Sequence, residues 1–209
     1  MGTDQPGKAI DSRSLMKAAF LLYIPASLLS IGGAILYPRR LGFQVVPESA
    51  GDAIESVLAG LVAGAVIIAV ARVIVLHTNA GRRLAISQGE ALSGVSFLSG
   101  QVLAVLAGVA EELVFRGSLW SLISSFSDPW VALAVTSLLF GAVHGSFRRG
   151  YLLWSSMAAV SGIVAGLLLV FSGNLLAPIM MHVLVDAVDI PLMKRMVSVS
   201  SGTQARRQP

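Results

Sequence analysis

The sequence predicts an all-α membrane protein, a bundle of about six transmembrane helices. Of the 209 residues, 55% are hydrophobic and only 12% are charged, whereas soluble domains carry about 25% charged residues. Long apolar runs recur along the chain, several of them near the roughly 20 residues that a bilayer core requires. No strand pattern, internal repeat or phosphate-binding glycine loop is present. We therefore expect a single compact membrane domain.

Six apolar segments are predicted to span the membrane. The first, residues 18–37, is long for the core of a signal peptide and lacks a small-x-small cleavage site. We therefore interpret it as a retained helix. The polar linker at residues 78–94 has room for a short amphipathic helix. The other spans are predicted at residues 56–76, 95–120, 130–147, 151–171 and 175–193.

These spans divide the chain into four parts. Residues 1–17 form a polar N-terminal segment, and residues 18–94 contain two accessory spans and the linker. Residues 95–193 form a four-helix core, and residues 194–209 form a basic tail that we expect to be disordered. Glycine pairs at a spacing of four residues predict faces on which helices pack closely: Gly60 and Gly64, Gly162 and Gly166, and Gly141 and Gly145 around His144.

The distribution of basic residues predicts the orientation of the bundle. Cytoplasmic connections of membrane proteins carry an excess of lysine and arginine. With the N-terminus in the cytoplasm and Arg72 left out as intramembrane, eleven such residues fall on the inner side and three on the outer side. We therefore expect both termini in the cytoplasm of a cell membrane. The net charge of +4 fits this topology and is not interpreted as nucleic-acid binding. The inner residues are Lys8, Arg13, Lys17, Arg82, Arg83, Arg148, Arg149, Lys194, Arg195, Arg206 and Arg207, and the outer ones are Arg39, Arg40 and Arg116.

Two adjacent carboxylates, Glu111 and Glu112, interrupt the third apolar run. On a helix, Arg116 shares a face with Glu112, in the favourable order of acid before base. Glu111 is rotated by about 100° from its neighbour, which leaves it without a partner. Because an unpaired carboxylate in lipid is costly, we expect a functional role for Glu111.

Histidines and further carboxylates occur in the later spans. His144 lies late in the fourth span, and His182 shares a helix face with Asp186 in the sixth, with Asp189 one turn on. At a rise of about 1.5 Å per residue, these groups reach the depth of Glu111 in the cytoplasmic half of the bilayer. A lone intramembrane histidine typically makes an interhelical hydrogen bond, but two histidines and a free carboxylate at one depth predict a site. His77, at the end of the second span, is interpreted as interfacial.

The chemistry that such a group supports is the activation of water. A glutamate and a histidine can bind one water and remove its proton, and a second histidine can stabilise the resulting oxyanion. Zinc, which binds histidine nitrogen and carboxylate oxygen, could instead be held by Glu111, His144 and His182. The chain has no cysteine and no His-Glu-x-x-His motif, so disulfides and thiolate ligands are excluded and metal use is left open.

Three motifs resemble, in this order, those of the CAAX-protease and bacteriocin-processing (Abi) family of intramembrane proteases. This family includes the Ras-converting CAAX endopeptidases, and the resemblance covers residues 95–193. The motifs are Glu111-Glu112-x-x-x-Arg116, Phe140-x-x-x-His144 and His182-x-x-x-Asp186.

The resemblance implies a membrane endopeptidase in which Glu111 is the base acting on water and His144 assists it. His182 and Asp186 would bind the oxyanion or hold the site. Glu112 would belong to the same catalytic set, with Arg116 as its supporting partner and Phe140 as a further supporting residue. The family often has asparagine at the position of Asp186, and an ionised aspartate cannot donate a hydrogen bond. Asp186 could therefore orient His182 or bind a metal, although we favour a metal-free mechanism.

The implied substrate is a membrane-associated peptide or protein. Eukaryotic relatives cut prenylated CAAX proteins after the modified cysteine, whereas small prokaryotic relatives are linked to peptide maturation, bacteriocin immunity or membrane-protein processing. Two other functions fit the same polar groups: a non-catalytic immunity or scaffold protein, and an ion or proton carrier. Neither the substrate nor the oligomeric state follows from the sequence.

Overall fold

The computed structural model describes the backbone of residues 11–36, 44–145 and 151–205, and the side chains of residues 11–32, 44–145 and 151–198. The predicted all-α fold is confirmed, because the described residues contain helices and a single isolated bridge between Gln44 and Asn174 but no strand. The helices are α1 (Ser12–Leu36), α2 (Ala50–His77), α3 (Asn79–Ala91), α4 (Phe97–Glu112), α5 (Trp120–Ser124), α6 (Pro129–His144), α7 (Leu152–Ser172) and α8 (Leu176–Ala205), and a π-helical segment (Leu113–Leu119) joins α4 to α5.

The helices have the length and composition of a multi-pass membrane protein. Within the described ranges, five helical segments are long and apolar enough to cross a bilayer. The apolar α6 has 16 residues, which gives a length of about 24 Å against a core of about 30 Å. It ends at His144, before the predicted end at residue 147, and residues 146–150 lie outside the described part. The five segments are Ser12–Gly32, Ala50–His77, Phe97–Ser124, Leu152–Ser172 and Leu176–Ser198.

The first two helices begin earlier than predicted, because polar side chains cap them. The backbone N–H groups of Arg13 and Ser14 donate to Asp11 Oδ1 at 2.9 and 3.0 Å, so the polar N-terminal segment is helical from Ser12 onward. Residues 1–10 lie outside the description. Ser49 accepts from the backbone N–H of Asp52 at 3.1 Å, and α2 therefore begins at Ala50 rather than at the predicted residue 56.

The region after α2 agrees with prediction. His77 is the last residue of α2 and is exposed, as expected for an interfacial residue. Thr78 accepts from the N–H of Gly81 at 2.9 Å and caps α3, which is the short helix anticipated in the linker. The basic side chains Arg82 and Arg83 of α3 are exposed.

The last helix continues beyond its predicted end. α8 extends to Ala205, so the predicted end at residue 193 and the predicted disorder are wrong for residues 194–205, while residues 206–209 lie outside the description. Packing against neighbouring segments accounts for the first part of the extension, up to Val197. Lys194 donates to the backbone carbonyl of Val95, and a Cβ on Gly89 of α3 would lie 2.7 Å from Val197 Cγ2. These tertiary contacts stabilise helical turns whose polar composition suggested a tail.

Helix α8 packs against α2, α3, α4 and α7, and glycines permit its closest approaches. A Cβ on Gly64 of α2 would lie 3.1 Å from the carbonyl oxygen of Met181, and a Cβ on Gly108 of α4 would lie 2.6 Å from Val183 Cγ2. The α6–α7 crossing is similar, since a Cβ on Gly141 would lie 2.7 Å from the carbonyl oxygen of Ser155. Together with the packing of α7 on α8, these crossings place α4, α6 and α8 around one polar cluster.

Candidate active site

The base of the polar cluster is a buried ion pair between Glu112 and Arg116. Arg116 Nη1 donates to Glu112 Oε1 at 3.1 Å, and the two side chains are 0% and 1% exposed. Arg116 Nη2 also donates to the carbonyl oxygen of Gly162 at 2.9 Å, which ties the pair to α7. The predicted pairing of these two residues is therefore confirmed.

Glu112 has a second partner that the sequence analysis missed. Its Oε1 lies 2.8 Å from Nδ1 of His182 on α8. Because a carboxylate accepts hydrogen bonds, Nδ1 of His182 carries the proton in this contact. Glu112 therefore fixes the orientation of the imidazole, which was one of the roles that the sequence analysis left open for Asp186. No spacing rule relates residues on separate helices, which is why this contact escaped prediction.

The segment that follows Glu112 is π-helical, from Leu113 to Leu119. Such segments are rare and occur frequently at functional sites. Arg116 lies within it and still reaches Glu112, and the hydroxyl of Ser121 beyond it donates to the carbonyl oxygen of Gly117 at 2.7 Å. The sequence analysis treated this region as regular α-helix. The amino-acid sequence of the segment contains no signal that distinguishes a π-helix from an α-helix.

Glu111 also has partners, so the expectation that it lacks one is wrong. The hydroxyl of Tyr23 on α1 donates to Glu111 Oε1 at 2.7 Å. The other carboxylate oxygen, Oε2, lies 3.3 Å from His144 Nε2 and 3.9 Å from His182 Nε2. A tyrosine within an apolar span needs a hydrogen-bond partner when buried, which is the one sequence signal that pointed to Tyr23.

His144 is oriented by its own helix. Its Nδ1 lies 2.7 Å from the carbonyl oxygen of Phe140, and because a carbonyl can only accept, Nδ1 is the donor. The Phe140 ring is buried against this imidazole, with centroids 4.3 Å apart, and meets the His182 ring edge-on at 5.7 Å. The Arg116 guanidinium lies 4.6 Å from the same ring centroid. Phe140 thus packs between the groups that it was expected to support.

Both imidazoles therefore turn Nε2 toward Glu111 Oε2. With each Nδ1 donating, Nε2 of a neutral imidazole is an acceptor, as is the carboxylate oxygen. Glu111 Oε2 is buried and makes no hydrogen bond with the described side chains or backbone. A water at this point can donate its two O–H groups to Glu111 Oε2 and His144 Nε2, and its oxygen can accept from His182 Nε2 when that imidazole carries a second proton. The structure brings together the three residues predicted to share a water.

Asp186 lies at the edge of this cluster. Its Oδ2 is 3.6 Å from His182 Nε2, and its side chain is 31% exposed. This separation is longer than a hydrogen bond, so Asp186 faces the nitrogen that points to Glu111 without binding it directly. Asp189, one turn on, borders the cavity described below.

The side chains do not form a ready metal site. In the part of the chain that the structure describes, no group of three or more His, Asp or Glu side chains is arranged to hold a metal ion. Zinc would need its ligand atoms about 2.0–2.2 Å from one point. Glu111, His144 and His182, the residues expected to bind zinc if it were present, are not found as such a group, and we assign no step to a metal.

A cavity of about 200 Å³ adjoins the cluster. Its walls come from α2, α3, α4, α6, α7 and α8, and they are mostly apolar. His144, His182 and Asp186 form one polar part of its lining, and three methionines line other parts. Unbranched methionine side chains adapt readily to different apolar groups. The apolar and aromatic lining includes Leu103, Trp154, Met157, Met181, Ile190 and Met193.

Comparison with known proteins finds a family match in the part of the chain that carries most of these residues. Residues 93–188 match the model of a family described as type II CAAX prenyl endopeptidase Rce1-like. This match confirms the similarity to CAAX endopeptidases. It covers the residues of the cluster from Glu111 to Asp186, but not Tyr23, Asp189 or the cavity residues Ile190 and Met193. The chain is also 34% identical over 86 residues to the uncharacterized protein YpbD of Bacillus subtilis (strain 168), a stretch that covers 41% of each chain. No solved structure matches the chain significantly.

Proposed function

We propose that this protein is an intramembrane endopeptidase that hydrolyses a peptide bond with a water activated by Glu111. The observation that carries the proposal is the convergence of Glu111 Oε2, His144 Nε2 and His182 Nε2, with Oε2 free to accept a proton. The similarity of residues 93–188 to CAAX prenyl endopeptidases supports the same reaction class.

The proposed reaction begins with water held between Glu111 and His144. Glu111 Oε2 takes one proton from the water, and the oxygen bonds to the carbonyl carbon of the substrate. His182, carrying a proton on each nitrogen, donates Nε2–H to the oxyanion that forms. Glu111 then gives its proton to the departing amine nitrogen as the C–N bond breaks, which returns the carboxylate to its starting state. Glu112 holds His182 through Nδ1 throughout.

The cavity indicates what surrounds the cut bond. Its volume of about 200 Å³ is smaller than the roughly 300–1,000 Å³ of sites that enclose a drug-sized ligand. We therefore propose that it receives one apolar side chain next to the scissile bond. A lipid chain on the substrate would then lie outside the cavity, against the apolar outer surface of the helices.

The test uses the purified full-length protein in nanodiscs and a quenched fluorescent peptide as the probe. One form ends in S-farnesylcysteine followed by three residues, two of them aliphatic, and the other lacks the farnesyl group. We expect the wild type to cleave at least one form, and Glu111→Ala and His144→Ala to lose about 100-fold or more of the rate. Glu90→Gln, on the exposed surface of α3, is the matched control.

The rival functions predict other results. A catalytic rate that survives in Glu111→Ala, with the variant still folded, would exclude the glutamate mechanism. A scaffold or immunity protein would show no cleavage of either probe and would keep its cellular phenotype in both alanine variants. An ion carrier would instead show cation or proton flux in liposomes. The peptidase proposal requires cleavage that depends on Glu111.

A further inference from the structure

We infer that Tyr23 of α1 is a positioning residue for the reaction, and that α1 is part of the active site. The inference rests on the proposed function. Tyr23 lies outside residues 93–188, the segment that matches the endopeptidase family. Its hydroxyl nevertheless donates to Glu111 Oε1 at 2.7 Å, across 88 positions of sequence.

The packing of α1 shows that Tyr23 is placed for this contact. The face of α1 that turns toward the bundle carries Ala19, Tyr23, Ala26 and Ser30, whereas Leu21, Leu22, Leu28 and Leu29 are exposed. Between Ala19 and Ser30, Tyr23 is the large side chain on a face that is otherwise made of small ones, which allow the helix to approach α4 and the π-helical segment. The tyrosine therefore reaches from the helix surface to the carboxylate.

The hydrogen bond distinguishes the two oxygens of Glu111. Oε1 is held by the phenol, so the carboxylate cannot rotate freely and Oε2 stays directed at His144 and His182. A general base acts only when its lone pair is within reach of the water proton. Tyr23 supplies no proton to the substrate in this scheme, and its effect on the reaction is exerted through Glu111.

A second contact holds α1 in register with α4. Ser12 donates to the carbonyl oxygen of Gly94 at 3.0 Å, and its hydroxyl accepts from the N–H of Ser96 at 2.7 Å. Ser96 is the N-cap of α4, the helix that ends in Glu111 and Glu112. The position of Tyr23 relative to Glu111 is thus fixed from the start of both helices.

The test compares Tyr23→Phe, which removes only the hydroxyl, with Tyr151→Phe as a control that also loses one tyrosine hydroxyl, near the start of α7. We expect Tyr23→Phe to lower kcat by about 10- to 100-fold, as small misplacements of catalytic groups do, with KM little changed. Tyr151→Phe should retain the wild-type kcat. Wild-type kcat in Tyr23→Phe would overturn the inference.

A substrate-free readout separates this inference from the proposed function. The chain has three histidines, so nitrogen NMR of histidine-labelled protein in nanodiscs gives a simple spectrum. We expect Tyr23→Phe to shift the Nε2 signal of His144 and to leave His77 unchanged, and Tyr151→Phe to shift neither. If His144 does not respond to Tyr23→Phe but does respond to Glu111→Ala, Tyr23 does not position Glu111. If His144 responds but neither probe is cleaved, the positioning contact stands and the endopeptidase assignment fails.

Discussion

At the scale of single residues, the site depends on one carboxylate with two partners. Glu112 neutralises Arg116 and also holds His182, so the same side chain balances a buried charge and orients a reacting group. The neighbouring Glu111 then uses Oε1 for Tyr23 and Oε2 for the two imidazoles. Of these two adjacent residues on one helix, Glu112 thus supports the site and Glu111 carries out the proposed chemistry.

This division of roles predicts different consequences for the two glutamates. Glu112→Gln would leave Arg116 buried without its counter-charge, and breaking such a pair typically costs about 3–5 kcal/mol. We expect a large fall in the thermal unfolding midpoint of the protein in detergent. The exposed Glu90→Gln should change the free energy of unfolding by less than about 0.5 kcal/mol. Wild-type stability in Glu112→Gln would mean that the pair does not hold this part of the bundle.

Much of the site was predictable because helical spacing relates residues on one helix. The pairing of Glu112 with Arg116 followed from a spacing of four, and the common depth of His144 and His182 with Glu111 followed from counting residues along predicted spans. Contacts between helices were harder to predict, because the spacing of residues does not give the rotation of each helix about its own axis. Tyr23 to Glu111 and Glu112 to His182 are both of that kind.

At the scale of elements, glycines determine how closely the helices that carry the site approach. Gly108 lies one turn before Glu112, and a Cβ there would lie 2.6 Å from Val183 Cγ2 and 3.0 Å from the Val183 backbone nitrogen. Val183 follows His182 directly. The distance between Glu112 and His182 is therefore controlled by the same crossing that excludes a side chain at position 108.

We predict that Gly108→Ala moves α4 and α8 apart. Overpacking of this kind typically costs about 1–3 kcal/mol, and the site should lose activity in addition to stability. The control is Gly32→Ala on α1, where a Cβ would have no neighbour within 4 Å. Cleavage rates and unfolding midpoints of both variants would test this. Equal activity in the two variants would show that the α4–α8 separation does not limit the reaction.

Helix boundaries were predicted less well than helix identity. Local capping by Asp11 and Ser49 lengthened α1 and α2, and tertiary contacts of Lys194 and Val197 extended α8. Hydropathy reports where a helix can lie in lipid, whereas caps and packing decide where the backbone stops being helical. The π-helical segment after Glu112 has no hydropathy signal at all.

At the scale of the whole molecule, the orientation in the membrane remains a prediction from the basic residues. Because the chain has no cysteine, a single introduced cysteine can be labelled without background reaction from other cysteines. We expect Glu90→Cys on α3 to react with a membrane-impermeant maleimide only after cells are opened, and Ser125→Cys after α5 to react in intact cells. The reverse labelling pattern would place the N-terminus outside.

The metal-free mechanism also makes a prediction for the intact protein. Since no step of the proposed reaction uses a metal, treatment with a strong zinc chelator should leave probe cleavage unchanged, while Glu111→Ala should still abolish it. Loss of cleavage on chelation, with recovery on adding zinc, would instead assign Glu111, His144 and His182 as ligands.

The most direct measurement of the central claim is a high-resolution crystal structure of the protein with diffraction data collected at the zinc absorption edge. We predict one water molecule within about 2.7–3.2 Å of Glu111 Oε2, His144 Nε2 and His182 Nε2, with no anomalous signal at that position. Side chains of these three residues directed to separate places, or a zinc ion between them, would contradict the account.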